Sequence, residues 1–148
     1  MLKKVYMFNK ARNKFAWDEK LEIKMFQEEI KEFFDAESVA ERIDAYVDCE
    51  YVIQGTEMKA IYNDEPNPNV KLWNRAENLM RSIIADELDG LSFDIVVERA
   101  RDIVCASNEL KGKELVEGKV SKKAFTVNAT EQIASMVLVL KQEKKEGK

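Results

Sequence analysis

Apolar residues recur along this chain at a spacing of three and four, the period of a helix with one buried face. The pattern predicts six helices. A short first one covers about Val5–Phe15. A second runs from Asp18, its expected N-cap, to Ala36. A third begins at Ser38, where Ser38-Val39-Ala40-Glu41 reads as a capping box, and passes through Gly55 to about Ile61. Asn63-Asp64-Glu65-Pro66-Asn67-Pro68-Asn69 is the clear linker, with Asn67 or Asn69 as cap for the next helix. This fourth helix carries Val70, Trp73, Ala76, Met80, Ile83, Ile84 and Leu88 and ends near Gly90. The fifth is capped by Ser92, turns Ile95, Val96, Ala100, Ile103 and Val104 inward, and ends near Gly112. A lysine-rich loop of about a dozen residues comes next, long enough to suggest a functional role. Thr130 is the expected cap of a last helix bearing Ile133, Met136, Val137 and Leu140, and the tail from Lys141 to Lys148 extends or frays it.

Composition agrees with an all-α fold. The 148 residues include only 5 Gly and 2 Pro, too few turn residues for many short strands. This length suits one domain, residues 1–148, with its own core. The net charge of -4, from 28 acidic and 24 basic residues, gives no sign of a nucleic-acid partner. Cys49 and Cys105 lie in apolar, helix-periodic surroundings and read as buried thiols of a reducing compartment. No apolar run approaches membrane-spanning length and no signal-peptide core stands at the start, so a cytoplasmic location is expected, with no membrane partner. Histidine is absent. That removes the usual general base and the usual zinc ligand, and leaves acid–base or metal chemistry to carboxylates, lysines and tyrosines.

Helical geometry, about 100° per residue, locates the carboxylates. With Glu29 at zero on the second helix, Glu32 lies about 60° to one side. Met25 and Leu21 share that side, and Phe33, Phe26 and Ile30 lie on the other. On the third helix Asp48 lies about 40° from Asp44, among Ala40, Val47, Tyr51 and Val52. That helix is apolar on most sides, which marks it as central. Four carboxylates inside apolar arcs need compensation, because unpaired buried charge is costly. A divalent cation, basic partners or protonation could supply it. Neither helix is read as carrying Arg or Lys on this face, which favours the cation, and an all-oxygen donor set suits Mg²⁺ or Mn²⁺. Against this stands the plain reading that helices rich in Glu and Asp place some at i, i+3 or i, i+4 by chance, and that Glu41 serves the cap. Phe15, Trp17, Tyr46 and Trp73 could stack on a base, though aromatics at helical spacing are more often core.

The run Glu28-Glu29-Ile30-Lys31-Glu32, followed by Ile43-Asp44-Ala45-Tyr46-Val47-Asp48-Cys49-Glu50-Tyr51-Val52-Ile53-Gln54-Gly55-Thr56, resembles the MazG-like all-α nucleoside triphosphate pyrophosphatases, and within them the phosphoribosyl-ATP pyrophosphohydrolase-like branch often seen in phages. Ala106-Ser107-Asn108-Glu109-Leu110-Lys111-Gly112 and Gly118-Lys119-Val120-Ser121-Lys122-Lys123 resemble a second block of the same family. The matched stretches cover roughly residues 20–56 and 95–125. Many members have Glu where Ala45 stands, and Asp44 is the substitute the resemblance offers. Val52 stands where the histidine-synthesis enzymes usually carry His.

The resemblance implies a helical bundle working as a dimer or dimer of dimers. It implies hydrolysis of a (d)NTP or modified nucleotide to the monophosphate and pyrophosphate. Glu29, Glu32, Asp44 and Asp48 would hold Mg²⁺. Glu28 would orient or deprotonate water. Asn108, Lys111, Lys119 and Lys122 would bind the substrate's phosphates. A non-catalytic interaction or nucleotide-sensing protein of the same fold, and a structural bundle with incidental acids, are the competing expectations.

Overall fold

A computed structural model describes residue 10, residues 16–109, 115–116, 119–120 and 128–147. Five helices account for most of them: α1 (Glu19–Asp35), α2 (Val39–Tyr62), α3 (Val70–Glu87), α4 (Phe93–Glu109) and α5 (Ala129–Lys145). The fold is all-α. All of the expected short helix over Val5–Phe15 except Lys10, which is helical, lies outside the described residues.

Most helix starts follow from local chemistry. The Asp18 carboxylate accepts from Leu21 N at 3.2 Å, and Glu19 and Glu22 place negative charge at the positive end of α1. Ser38 Oγ accepts from Glu41 N at 3.2 Å. Glu41 reaches back one residue further than the capping box requires, to the amide of Glu37 at 3.3 Å. Ser92 Oγ accepts from Ile95 N at 3.3 Å. Two expected caps differ. Asn128, not Thr130, caps α5 by accepting from Glu131 N at 3.1 Å. Asn69 occupies the N-cap position of α3 without a side-chain cap bond, because its amide is engaged with α1 instead.

The lysine-rich segment is not wholly irregular. Leu115–Val116 and Lys119–Val120 pair as a two-residue antiparallel ladder, Leu115 opposite Val120. Val116 and Val120, whose β-branched side chains favour extended backbone, suit such a ladder.

Helix α2 is central, as its apolar circumference predicts: α1, α3, α4 and α5 all pack on it, and α4 also packs on α5. Phe26 and Phe33 from α1 meet Ile43, Ala45, Tyr46, Val47, Cys49 and Ile53 of α2. Met80, Ile84, Val96, Ala100, Ile133 and Val137 close the other sides. Each large aliphatic chain removed from water here contributes about 1.5–3 kcal/mol. The apolar circumference of α2 is therefore largely buried inside the chain. The Tyr46 ring lies 5.8 Å from both Trp73, to which it is tilted, and Phe93, which it meets edge-on, and Phe26 sits edge-on to Trp73 at 6.0 Å. Tyr46 and Trp73 are thus members of the core. Phe15 lies outside the described residues.

Ion pairs clamp α2 to α3 and α4. Arg101 of α4 grips Glu50 with both arms, at 2.9 and 2.7 Å. Arg42 pairs with Glu87 at the end of α3 and donates to the Ala36 carbonyl at 2.7 Å. The chain turns from α3 to α4 through Asp89 (φ 50°) and Gly90 (φ 89°), and the second value is one glycine adopts without strain. Among the described residues, no helix is long and apolar enough to cross a membrane.

Candidate metal centre

Helices α1 and α2 run side by side after the short turn at Ala36–Ser38, which brings the C-terminal half of α1 against the N-terminal half of α2. One oxygen from each of Glu29, Glu32 and Asp48 falls within 4.8 Å of the others. Three carboxylate oxygens so close repel one another unless a cation or proton lies among them. The donor set is all oxygen and hard, and suits Mg²⁺ or Mn²⁺.

These three are the residues the helical wheels single out, together with Asp44. Asp44 has a different setting. Its Oδ2 accepts from Thr130 Oγ1 of α5 at 2.9 Å, and it lines a cleft of about 510 Å³ that adjoins the triad through Glu32. Five carboxylates face this cleft, Glu28, Glu32, Asp35, Glu41 and Asp44, with Lys31 as its cation. Ala36, Ala45 and Thr130 complete the walls. Glu28, the resemblance's candidate for handling water, is therefore beside Glu32 and on the cleft. Glu41 serves both the cap and the cleft wall. Ala45, where the family often carries Glu, presents only a methyl group.

The carboxylates are less buried than their apolar arcs predict. Glu29, Asp44 and Asp48 are half-buried and Glu32 is exposed. Helix α1 packs principally on α2, so the outer flank of its apolar arc stays open. There the long Glu side chains reach the rim while Met25, Phe26 and Phe33 fill the interior. Behind the triad lies Cys49, fully buried. Burial first, then the negative charge of Glu29, Asp48 and Glu32, pushes its thiol pKa upward, so the sulfur stays protonated and is not a competing soft ligand.

The expectation that neither helix offers a basic group on this face needs correction. Lys59 lies within about 20° of Asp48 on α2, and Glu22 within about 20° of Glu29 on α1. The two form a buried ion pair at 2.6 Å, and Thr56 Oγ1 donates to the other Glu22 oxygen at 2.7 Å. Asn69 Nδ2 donates to the Glu22 carbonyl at 3.2 Å. Extending the wheel by two turns on α1 and three on α2 would have found both residues. Lys59 thus neutralises Glu22 at the far end of the seam, away from the triad.

Of the expected phosphate-binding residues, Asn108 is buried in the last turn of α4 and is not among the residues lining the cleft. Lys119 is described by its backbone alone, paired in the hairpin. Lys111 and Lys122 lie outside the described residues. Comparison with family models, with curated proteins and with solved structures gives no match.

Proposed function

We propose that this chain is a Mg²⁺-dependent nucleoside triphosphate pyrophosphohydrolase, cleaving a (d)NTP or modified nucleotide to the monophosphate and pyrophosphate. The observation that carries the reading is the convergence of Glu29, Glu32 and Asp48 from two adjacent helices, within 4.8 Å, beside an open cleft. The motif resemblance gives that convergence a reaction.

In this reading Glu29, Glu32 and Asp48 hold the ion, with Asp44 contributing from the cleft side. Bound there, Mg²⁺ would screen phosphate charge and lower the pKa of a coordinated water. Glu28 orients a water for attack on the α-phosphorus and takes up its proton as the α–β bridging bond breaks and pyrophosphate departs. Lys111, Lys119 and Lys122 draw the phosphates in from the basic segment, with Asn108 as a hydrogen-bonding partner. Mn²⁺ is an alternative ion.

The same reading carries a cytoplasmic location and assembly as a homodimer or homotetramer. Exposed Phe34, Leu79, Leu138 and Val139 offer apolar surface for assembly, and light scattering on the purified chain tests it. Pyrophosphate release, measured over a panel of dNTPs and NTPs with Mg²⁺, tests the activity. Absence of turnover with every nucleotide would overturn it. A second reading, a non-catalytic nucleotide-sensing or interaction protein of the same fold, draws on Ala45, which gives the cleft a methyl group where the family often has a carboxylate. It predicts nucleotide binding without pyrophosphate release.

A further inference from the structure

We propose that the buried Glu22–Thr56–Lys59 junction is a positioning device for the carboxylate site: it fixes the register of α1 on α2, and so sets Glu29 and Glu32 against Asp48. The inference rests on reading the triad as a divalent-cation site.

The junction and the triad lie along one seam. Glu22 precedes Glu29 by seven residues on α1, and Thr56 follows Asp48 by eight on α2. These offsets are about 10.5 Å and 12 Å along the two axes, so in an antiparallel pair both contacts fit a single register. Both seven and eleven residues, the latter separating Asp48 from Lys59, return each helix to nearly the same face. A slip of one residue would shift α1 by about 1.5 Å and rotate its side chains by about 100°, which destroys a cluster as tight as this one.

Apolar packing also opposes a full slip, which would turn Phe26 and Phe33 out of the core, but it is non-directional and tolerates smaller shifts. The junction resists both strongly. Glu22 is 1% exposed, Thr56 0% and Lys59 3%, so none can find water as a replacement partner. Both Glu22 carboxylate oxygens are engaged from α2, and its carbonyl accepts from Asn69 ahead of α3. Three elements therefore meet on one residue. A buried ion pair contributes little net stability compared with apolar residues of similar volume, and its best-attested use is to select one register among several. The triad needs that selection, because its carboxylates repel and would drift apart if the helices were free to slide.

The test replaces the pair with apolar residues, Glu22→Leu with Lys59→Met, in the full chain. Two properties are read, Mn²⁺ affinity by titration with the metal alone, and the α1–α2 distance by electron–electron double resonance. Spin labels go on Gln27→Cys and Ile61→Cys, both exposed, while Cys49 and Cys105 are buried. The proposal expects Mn²⁺ binding weakened about 10-fold or more, the usual effect of removing a group that orients metal ligands. It also expects a broadened or two-component distance distribution, at unchanged or higher melting temperature without metal. Parent-like Mn²⁺ affinity, or weakened affinity with an unchanged narrow distribution, overturns it. Thr56→Val, which keeps the ion pair and removes one donor, gives the same two readouts if the double variant does not fold. No Mn²⁺ binding by the parent chain would overturn the metal reading instead, and the label distances would still decide the register.

Discussion

Asp44 and Asp48 stand one turn apart on α2, yet the fold treats them differently. Asp48 shares a tight cluster with Glu29 and Glu32, whereas Asp44 turns to Thr130 on α5. A ligand set built on the three predicts a ranking. Asp48→Asn should abolish the stabilisation that Mg²⁺ confers on the parent, about 2.7 kcal/mol when the ion is at 100 times its Kd. Asp44→Asn should only weaken it, and thermal melts over a Mg²⁺ series read both. Without metal, Glu32→Gln should leave stability unchanged or raise it slightly, since it relieves repulsion among three carboxylates. Tyr46 supports a second residue-scale prediction. Burial, reinforced by the charge of Glu50, pushes its phenol up to about 12, with Arg81 pulling the other way. A folded-state pKa above the unfolded value of about 10 means the unfolded chain loses its proton first. This contribution is therefore complete below pH 10 and falls between about pH 10 and 12, by at most about 1.4 kcal/mol per pH unit. Tyr46→Phe should flatten the alkaline fall in melting temperature across that window.

At the scale of elements, the buried pair on the α1–α2 seam makes single and double substitutions diverge. Lys59→Met leaves Glu22 charged, buried and without its cation, and should cost about 3–5 kcal/mol in urea unfolding. Glu22→Leu combined with Lys59→Met should recover that loss in full or more, because no buried charge remains. Non-additivity of this size in a double-mutant cycle would identify the contact as direct coupling. The seam also explains what was legible in the sequence. Periodicity revealed five helices and the central place of α2, because one buried face per helix leaves a 3.6-residue signature. It also picked out Glu29, Glu32 and Asp48, because carboxylates inside apolar arcs stand out. It missed the junction of Glu22 with Lys59 and Thr56, 37 and 34 residues apart: the helical period puts Glu22 and Lys59 on the faces of the triad, but does not encode which residues pair across the seam. It misjudged the Asn69 and Thr130 side chains for the same reason. Both residue types favour helix starts, but tertiary partners, Glu22 and Asp44, claimed them.

For the whole molecule, charge decides how a nucleotide could approach. The chain carries a net charge of -4, and the cleft beside the triad is walled by five carboxylates and one lysine. A triphosphate entering it alone meets charge of its own sign. Even at the dielectric constant of water, a close pair of like charges at 4 Å costs about 1 kcal/mol. Two or three such pairs amount to about a 100-fold loss of affinity, at 1.4 kcal/mol per tenfold. On the proposed reading, the ion would enter with the nucleotide or before it, and binding should be metal-obligate rather than merely metal-assisted. Isothermal titration with a dNTP analogue carrying a methylene bridge between the α- and β-phosphates measures this without turnover. Saturable heat is expected with Mg²⁺, and affinity at least about 100-fold weaker with EDTA. Comparable binding in EDTA would mean that cationic side chains hold the phosphates unaided, and would move the docking site from the carboxylate cleft toward the basic segment of Lys111, Lys119 and Lys122.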